Sequence, residues 1–163
     1  MAINTCCLLG SNSEWAFAEG IEEVTEKEIV ELIEKSGVKI FFVSRRNEFE
    51  RIAEASLRRV LPKYPDVKLI LVMPYDRMDI EHELRECEHL YHDVLLLGTK
   101  RISGTRRPIN LAEEIVDLSG YMLTYILKQN EEASAAFARA KKQGVVIHNC
   151  AELLNISYTD SEL

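Results

Sequence analysis

The stretch VKIFFVSRRNEFERIAE, residues 38–54, decides the fold class of this chain. It starts with a mainly apolar run, Val38 to Val43, which predicts a strand covered on both faces, as strands in parallel sheets are. A helical pattern begins directly after the turn Ser44 to Asn47, and Asn47 with Glu50 three residues later predicts the N-cap. Strand-to-helix turns attract anions because free backbone N–H groups and the helix dipole face them. Phosphate-binding turns of this kind are usually rich in glycine, and this turn has none.

Five more strands are predicted on the two sides of this stretch, and helical patterns separate them. The strands are Ile3–Leu9, Val67–Met73, Asp93–Leu97, Tyr121–Leu127 and Val145–His148, and the helices include segments starting near Thr25, Met78, Asn110 and Glu131. Thr25 with Glu28, and Asn110 with Glu113, predict capping boxes. The alternation predicts an α/β, Rossmann-like doubly wound fold, with a mainly parallel sheet of about six strands and helices on both faces. A single domain would span residues 1–154, followed by a polar tail at 155–163.

The composition limits which binding partners and which cell compartment we expect. The chain has 163 residues and a formal net charge of −7, which makes nucleic acid an unfavourable partner. No apolar run approaches the roughly 20 residues of a membrane span, and the start lacks a secretory leader. Four cysteines without a paired framework indicate reduced thiols and predict a cytoplasmic protein. Cys6 and Cys7 are predicted to be packing residues on opposite faces of a strand.

A positive segment stands out in this acidic chain. From Val94 to Ala112 there is no acidic residue, yet four lysines and arginines lie within it. In the common doubly wound order, ligands bind between the first and fourth strands, which would bring this segment beside Gly10. Arginine forks suit phosphate or carboxylate, so the pattern predicts an anion site built from side chains; a solvated loop is the alternative. The predicted ligand-binding residues are Gly10, Ser11, Ser44, Arg45, Gly98, Lys100, Arg101, Arg106 and Arg107.

Several scaffold segments together resemble one family. They are Cys6 to Gly10, Tyr64 to Pro74, Ile115 to Asp117 ahead of Ser119 and Tyr121, and Ala140 to Gly144. In this order they resemble the SLOG superfamily of Rossmann-like proteins, which includes the DNA-processing Smf/DprA proteins and the LOG cytokinin-activating phosphoribohydrolases. The nearest branch is the YpsA-like one, whose role is poorly defined. The resemblance covers about residues 4 to 150 and implies a nucleotide site at the sheet edge.

The chain departs from the family pattern where that site would lie. Ser11 and Asn12 stand where a histidine or arginine motif is usual, and Ser44 to Glu48 replaces a glycine-rich turn. Leu111 to Glu113 stands in place of an Arg-Asn-Arg triplet, and Glu131 to Ala133 in place of a Gly-Gly-Thr turn. Carboxylates in place of glycines repel a phosphate and prevent close backbone approach. The resemblance therefore implies an ancestral nucleotide site that is altered.

Two groups of residues are candidates for catalysis or for metal binding. Glu50 matches the family's acidic residue after the second strand, so it is the one catalytic candidate, with a helix-capping role as the alternative. His82, Glu86 and His89 share a helix face, but the second histidine of a zinc-protease motif is missing. The prediction is therefore no metal and no cofactor.

Two classes of function follow. The favoured one is non-enzymatic binding of a nucleotide or another small phosphate-bearing ligand, because every glycine turn that catalysis would use is changed. The alternative is an N-glycosidic hydrolase of the phosphoribohydrolase type acting on a nucleoside monophosphate, assisted by Glu50. Trp15 and Phe17 have four alternative roles: a lid, a base-stacking platform, a homodimer contact or packing in the core.

Overall fold

The computed structural model describes residues 4–10, 20–74, 82, 85, 89–98, 110–126 and 134–154. Within these ranges all six predicted strands are present and pair in parallel in one sheet. They are β1 (Thr5–Leu8), β2 (Ile40–Val43), β3 (Lys68–Pro74), β4 (Asp93–Leu97), β5 (Tyr121–Thr124) and β6 (Val146–Asn149). The predicted α/β doubly wound fold is confirmed.

In the described ranges, four helices cover the two faces of the sheet. They are α1 (Ile21–Glu34), α2 (Glu48–Val60), α3 (Leu111–Asp117) and α4 (Ser134–Gln143). A 3₁₀ turn, Leu61–Lys63, follows α2, and residues 150–154 form a last helical turn. The helices α1 and α2 pack on one face, and α3 and α4 pack on the other, because each pair contributes buried residues to a separate core.

The alternation of side chains along β1 shows how the two cores form. Cys6 and Leu8 belong to the core under α1 and α2, whereas Cys7 and Leu9 belong to the core under α3 and α4. Both cysteines are fully buried, as predicted for packing residues. Burial raises the pKa of the Cys7 thiol to about 12, so the group stays protonated and unreactive at neutral pH.

The strand order is 4-3-2-1-5-6 and differs from the order used in the sequence analysis. The prediction that the first and fourth strands flank the switch point is wrong: β1 lies between β2 and β5, and β4 is an edge strand beside β3. The burial of the two strands explains this placement. Every residue of β1 is buried, whereas β4 is only half-buried after an exposed Asp93, as suits an edge.

The predicted capping box at Thr25 is also wrong. Helix α1 starts four residues earlier, after Gly20, whose backbone is left-handed with φ of 90°. Ile21 is buried in the core, so packing extends the helix upstream of the local capping signal. Thr25 is fully buried, and its hydroxyl lies 3.7 Å from the sulfur of Cys150.

Most of the remaining local predictions hold. Residues 67–73 and 40–43 are buried in the parallel sheet except for an exposed Lys68 and half-buried Ile40 and Ile70. Gly37 and Gly144 follow helix ends with positive φ, as helix-stop residues do. The predicted helix from Met78 to Tyr91 is described only at residues 82 and 85, which are helical, and at 89–91, which are not, so its predicted end is wrong. The tail at 155–163 lies outside the described residues. In the part of the chain that is described, no helix is long and apolar enough to cross a membrane.

Helix α3 starts with a complete capping box, as predicted. The Asn110 side chain accepts a 2.8 Å hydrogen bond from the Glu113 N–H, and the Glu113 carboxylate accepts one of 3.4 Å from the Asn110 N–H. Arg139 of α4 then binds both carboxylate oxygens of Asp117, at 2.6 and 2.9 Å. The cap stabilises the start of α3, and the ion pair holds α3 against α4 on their face of the sheet.

We expect Asn110→Ala to lower the free energy of unfolding by about 1 kcal/mol, because the Glu113 N–H at the start of α3 loses its acceptor. Asn110→Ser is the matched control, since serine also caps helices, and it should stay within about 0.5 kcal/mol of the parent. Urea unfolding followed by circular dichroism measures both values. Equal losses in the two variants would contradict the capping role.

Candidate ligand site at the carboxyl edge of the sheet

The carboxyl ends of β1, β2 and β5 are adjacent, and the start of α2 packs against them. Gly10, just after β1, lies directly against Phe49 in the first turn of α2. A Cβ atom on Gly10 would lie 2.6 Å from the Cβ of Phe49, so only glycine fits at this position. This close approach places the backbone of Gly10 within reach of the polar groups that follow β2.

The carboxylate of Glu50 is the centre of those polar groups. It accepts hydrogen bonds from the hydroxyl of Ser44 and from the side-chain amide of Asn47, the latter at 2.5 Å. The backbone N–H groups of Gly10 and Arg46 also donate to it, each at 3.4 Å. Both carboxylate oxygens therefore have partners, and Glu50 is fully buried.

Asn47 links this carboxylate to β1 and to the helix. Its side-chain oxygen accepts a 3.1 Å hydrogen bond from the Glu50 N–H, which confirms the predicted N-cap of α2. Its side-chain amide also donates to the carbonyl of Gly10 at 2.8 Å. One buried asparagine thus caps the helix and joins it to the end of β1.

The electrostatics of Glu50 reflect two opposing effects. Burial raises the pKa of its carboxyl group above the usual value, whereas the Ser44 hydroxyl and the nearby Arg46 lower it. The net direction is upward because desolvation is the larger effect. A carboxyl group of this kind could serve as an acid or base, but its oxygens are already occupied by protein donors and are shielded from solvent.

Arg45 contributes to a second network, next to the first. It is the one non-glycine residue with positive φ (55°) among the described residues, and its Nε lies 3.9 Å from the carboxylate of Glu54. The hydroxyl of Tyr91 donates to the same carboxylate at 2.9 Å, and Arg58 donates to it at 3.1 Å. Burial and the Glu54 charge raise the pKa of Tyr91 to about 12. This network ties the turn after β2 to the segment ahead of β4.

Gly98 lies at a different part of the edge from Gly10, contrary to the expectation from the sequence. Three strand spacings, about 14 Å, separate β4 from β1. The Gly98 N–H donates to Oε2 of Glu114 in the first turn of α3, at 3.0 Å. Oε1 of Glu114 is buried, and no described residue forms a hydrogen bond with it. Sequence reasoning missed Glu114 because the pairing depends on the tertiary fold.

The switch point itself lies between β1 and β5, and the sequence analysis missed two residues near it, one on β5 and one on the neighbouring strand β6. Thr124, the last residue of β5, is fully buried, and its hydroxyl has no hydrogen-bond partner in the described part of the chain. Asn149 of β6 bonds the backbone N–H and carbonyl of Ile126, at 3.1 and 3.0 Å. It also accepts a 3.1 Å hydrogen bond from the Ala151 N–H and so caps the last helical turn. An asparagine directly ahead of a helical turn is a capping signal that the sequence could have revealed.

The other predicted site residues are only partly covered by the structure. Ser11, Lys100, Arg101, Arg106 and Arg107 lie outside the described residues. His82 and His89 are exposed, and Glu86 lies outside the described ranges. Among the described residues, no group of three histidine, cysteine or acidic side chains could hold a metal ion.

Comparisons of the chain with models of known protein families and with curated proteins find no match. The interpretation of the site therefore depends on its own geometry.

We expect Thr124→Val to raise the free energy of unfolding by about 1 kcal/mol, because it removes a buried hydroxyl without a partner. Thr5→Val is the matched control: the Thr5 hydroxyl donates to Leu118 O at 2.9 Å and accepts from Gly120 N at 3.2 Å. That change should lower the free energy of unfolding by about 1–2 kcal/mol. Denaturant titration of both variants measures the difference, and a loss at Thr124 would show that its hydroxyl has a partner.

Proposed function

We propose that this chain is a SLOG-like binding protein that takes a nucleotide or another small phosphate-bearing ligand at the carboxyl edge of its sheet. The doubly wound topology supports this location, because ligands of such folds bind outside the carboxyl ends of the strands where the winding reverses. Here that position lies between β1 and β5, next to Gly10.

The observation that carries the proposal is the buried hydroxyl of Thr124. A buried hydroxyl without a partner costs about 1–3 kcal/mol, so it persists only where something offsets that cost. It lies on β5, one of the two strands that flank the switch point, and on the face covered by α3 and α4. A ligand oxygen that enters between β1 and β5 would complete its hydrogen bonding.

The positive segment supplies the charge for such a ligand. Lys100, Arg101, Arg106 and Arg107 follow Gly98 in sequence and precede the cap of α3. Gly98 and Glu114 are hydrogen-bonded, so both ends of the segment are anchored at the carboxyl edge. We assign these four side chains, with Ser11, to the ligand's phosphate as part of the proposal.

Binding is favoured over hydrolysis because of the state of Glu50. A general acid or base must reach the proton that it transfers, within hydrogen-bond distance or through one water. The Glu50 carboxylate is fully buried, and Ser44, Asn47 and two backbone N–H groups occupy its oxygens. The phosphoribohydrolase mechanism would require this cluster to open, so it is the second candidate.

We expect adenosine monophosphate to raise the melting temperature of the parent protein, and to raise it more at low salt than at high salt. Binding stabilises the folded state, and exposed charges are screened beyond about 8 Å at physiological ionic strength. The double change Arg106→Ala with Arg107→Ala should remove the shift while leaving the ligand-free melting temperature nearly unchanged.

The matched control is Lys141→Ala with Lys142→Ala, which removes the same charge from the exposed last turn of α4. It should keep the shift. Thr124→Val should reduce the shift, because it removes the hydroxyl that the ligand would engage. The binding proposal is wrong if the parent shows no shift with nucleotides or sugar phosphates, or if the Arg106/Arg107 variant shifts as much as the parent.

Prolonged incubation with adenosine monophosphate should release no adenine above background, because protein donors already occupy both carboxylate oxygens of Glu50. Chromatographic detection of free adenine measures the reaction. Release that disappears in Glu50→Gln would establish the N-glycosidic hydrolase instead.

A further inference from the structure

At the carboxyl edge, the end of β1 and the turn between β2 and α2 direct their hydrogen-bond donors at one point. The N–H groups of Gly10 and Arg46 and the hydroxyl of Ser44 converge on the Glu50 carboxylate from two different loops. The side-chain amide of Asn47 adds another donor. The donors therefore come from the end of β1 as well as from the start of α2, so this is more than a helix N-terminus.

Backbone N–H groups and a hydroxyl around a negative group are the donor set with which proteins hold oxyanions. A phosphate would be bound by the same groups, through oxygens spaced much like those of a carboxylate. In this chain the charge is covalently attached and fully shielded from solvent. The position where other strand-to-helix turns hold a ligand's oxygens is filled by the protein itself.

We propose that Glu50 is a built-in anion: its carboxylate fills an oxyanion cradle formed by Gly10, Ser44, Arg46 and Asn47 and excludes ligand phosphate from it. The inference goes beyond the proposed function, because it concerns the β1–β2 part of the edge rather than the β1–β5 switch point. A built-in carboxylate also explains why the turn after β2 contains no glycine. The cradle has to accommodate only the side chain of Glu50, which needs less space than a free phosphate.

The proposal predicts that an external carboxylate can replace the internal one. Glu50→Ala removes a CH₂–COO⁻ group, which has nearly the volume of acetate, and leaves buried N–H donors without acceptors. The variant should melt well below the parent, and acetate at a few hundred millimolar should raise its melting temperature by about 3–6 °C relative to chloride at equal ionic strength. Formate should act more weakly, and the parent should show no acetate-specific shift.

Glu54→Ala is the matched control. Glu54 is also a buried carboxylate of α2, but its hydrogen-bond partners are the side chains of Tyr91 and Arg58 instead of a cradle of backbone N–H groups. This variant should gain nothing specific from acetate. Equal gains in the two variants, or no gain in Glu50→Ala, would overturn the proposal.

Glu50→Gln keeps the inference testable if the alanine variant does not fold. Glutamine fills the space but directs an NH₂ donor at groups that are themselves donors. It should melt lower than the parent by several degrees, and acetate should not restore it because no space is vacated. A Glu50→Gln protein as stable as the parent would show that the negative charge is not required, and would also overturn the proposal.

Discussion

The close contact between Gly10 and Phe49 is the constraint on which the rest of this edge depends. With no side chain at Gly10, α2 starts directly against the end of β1. This brings the N–H and carbonyl of Gly10 into the same polar cluster as Asn47 and Glu50, where both are hydrogen-bonded. Any larger residue would separate the strand from the helix and leave several buried polar groups without partners, which is the costly arrangement in a protein interior.

This cluster also determines which polar groups of the edge are already hydrogen-bonded. The donors at the ends of β1 and β2 are bonded to Glu50. Two buried oxygen atoms in the described ranges have no partner, on Glu114 and Thr124, and both residues lie at the carboxyl edge on the α3–α4 side. Thr124 lies on β5, where the winding of the sheet reverses, whereas Glu114 is bonded to Gly98 at the end of edge strand β4.

The same contacts separate two roles that one acidic residue could have had. A carboxyl group with a raised pKa suggests acid–base chemistry when only the titration is considered. The hydrogen bonds from Gly10, Ser44 and Asn47 give the opposite indication, since each of them occupies an oxygen that a substrate would need. Geometry outweighs the pKa in this case because proton transfer requires contact first.

The sequence alone determined the parts of this protein that depend on neighbouring residues. The strands follow from short apolar runs, and the caps at Asn47 and Asn110 follow from side chains that bond N–H groups three residues away. Only the tertiary structure decided the strand order, the upstream start of α1, and the partners of Glu50 and Glu114, which lie 40 and 16 residues apart from Gly10 and Gly98 in the chain. Those features depend on which buried surfaces meet, and a local pattern in the sequence carries no information about distant partners.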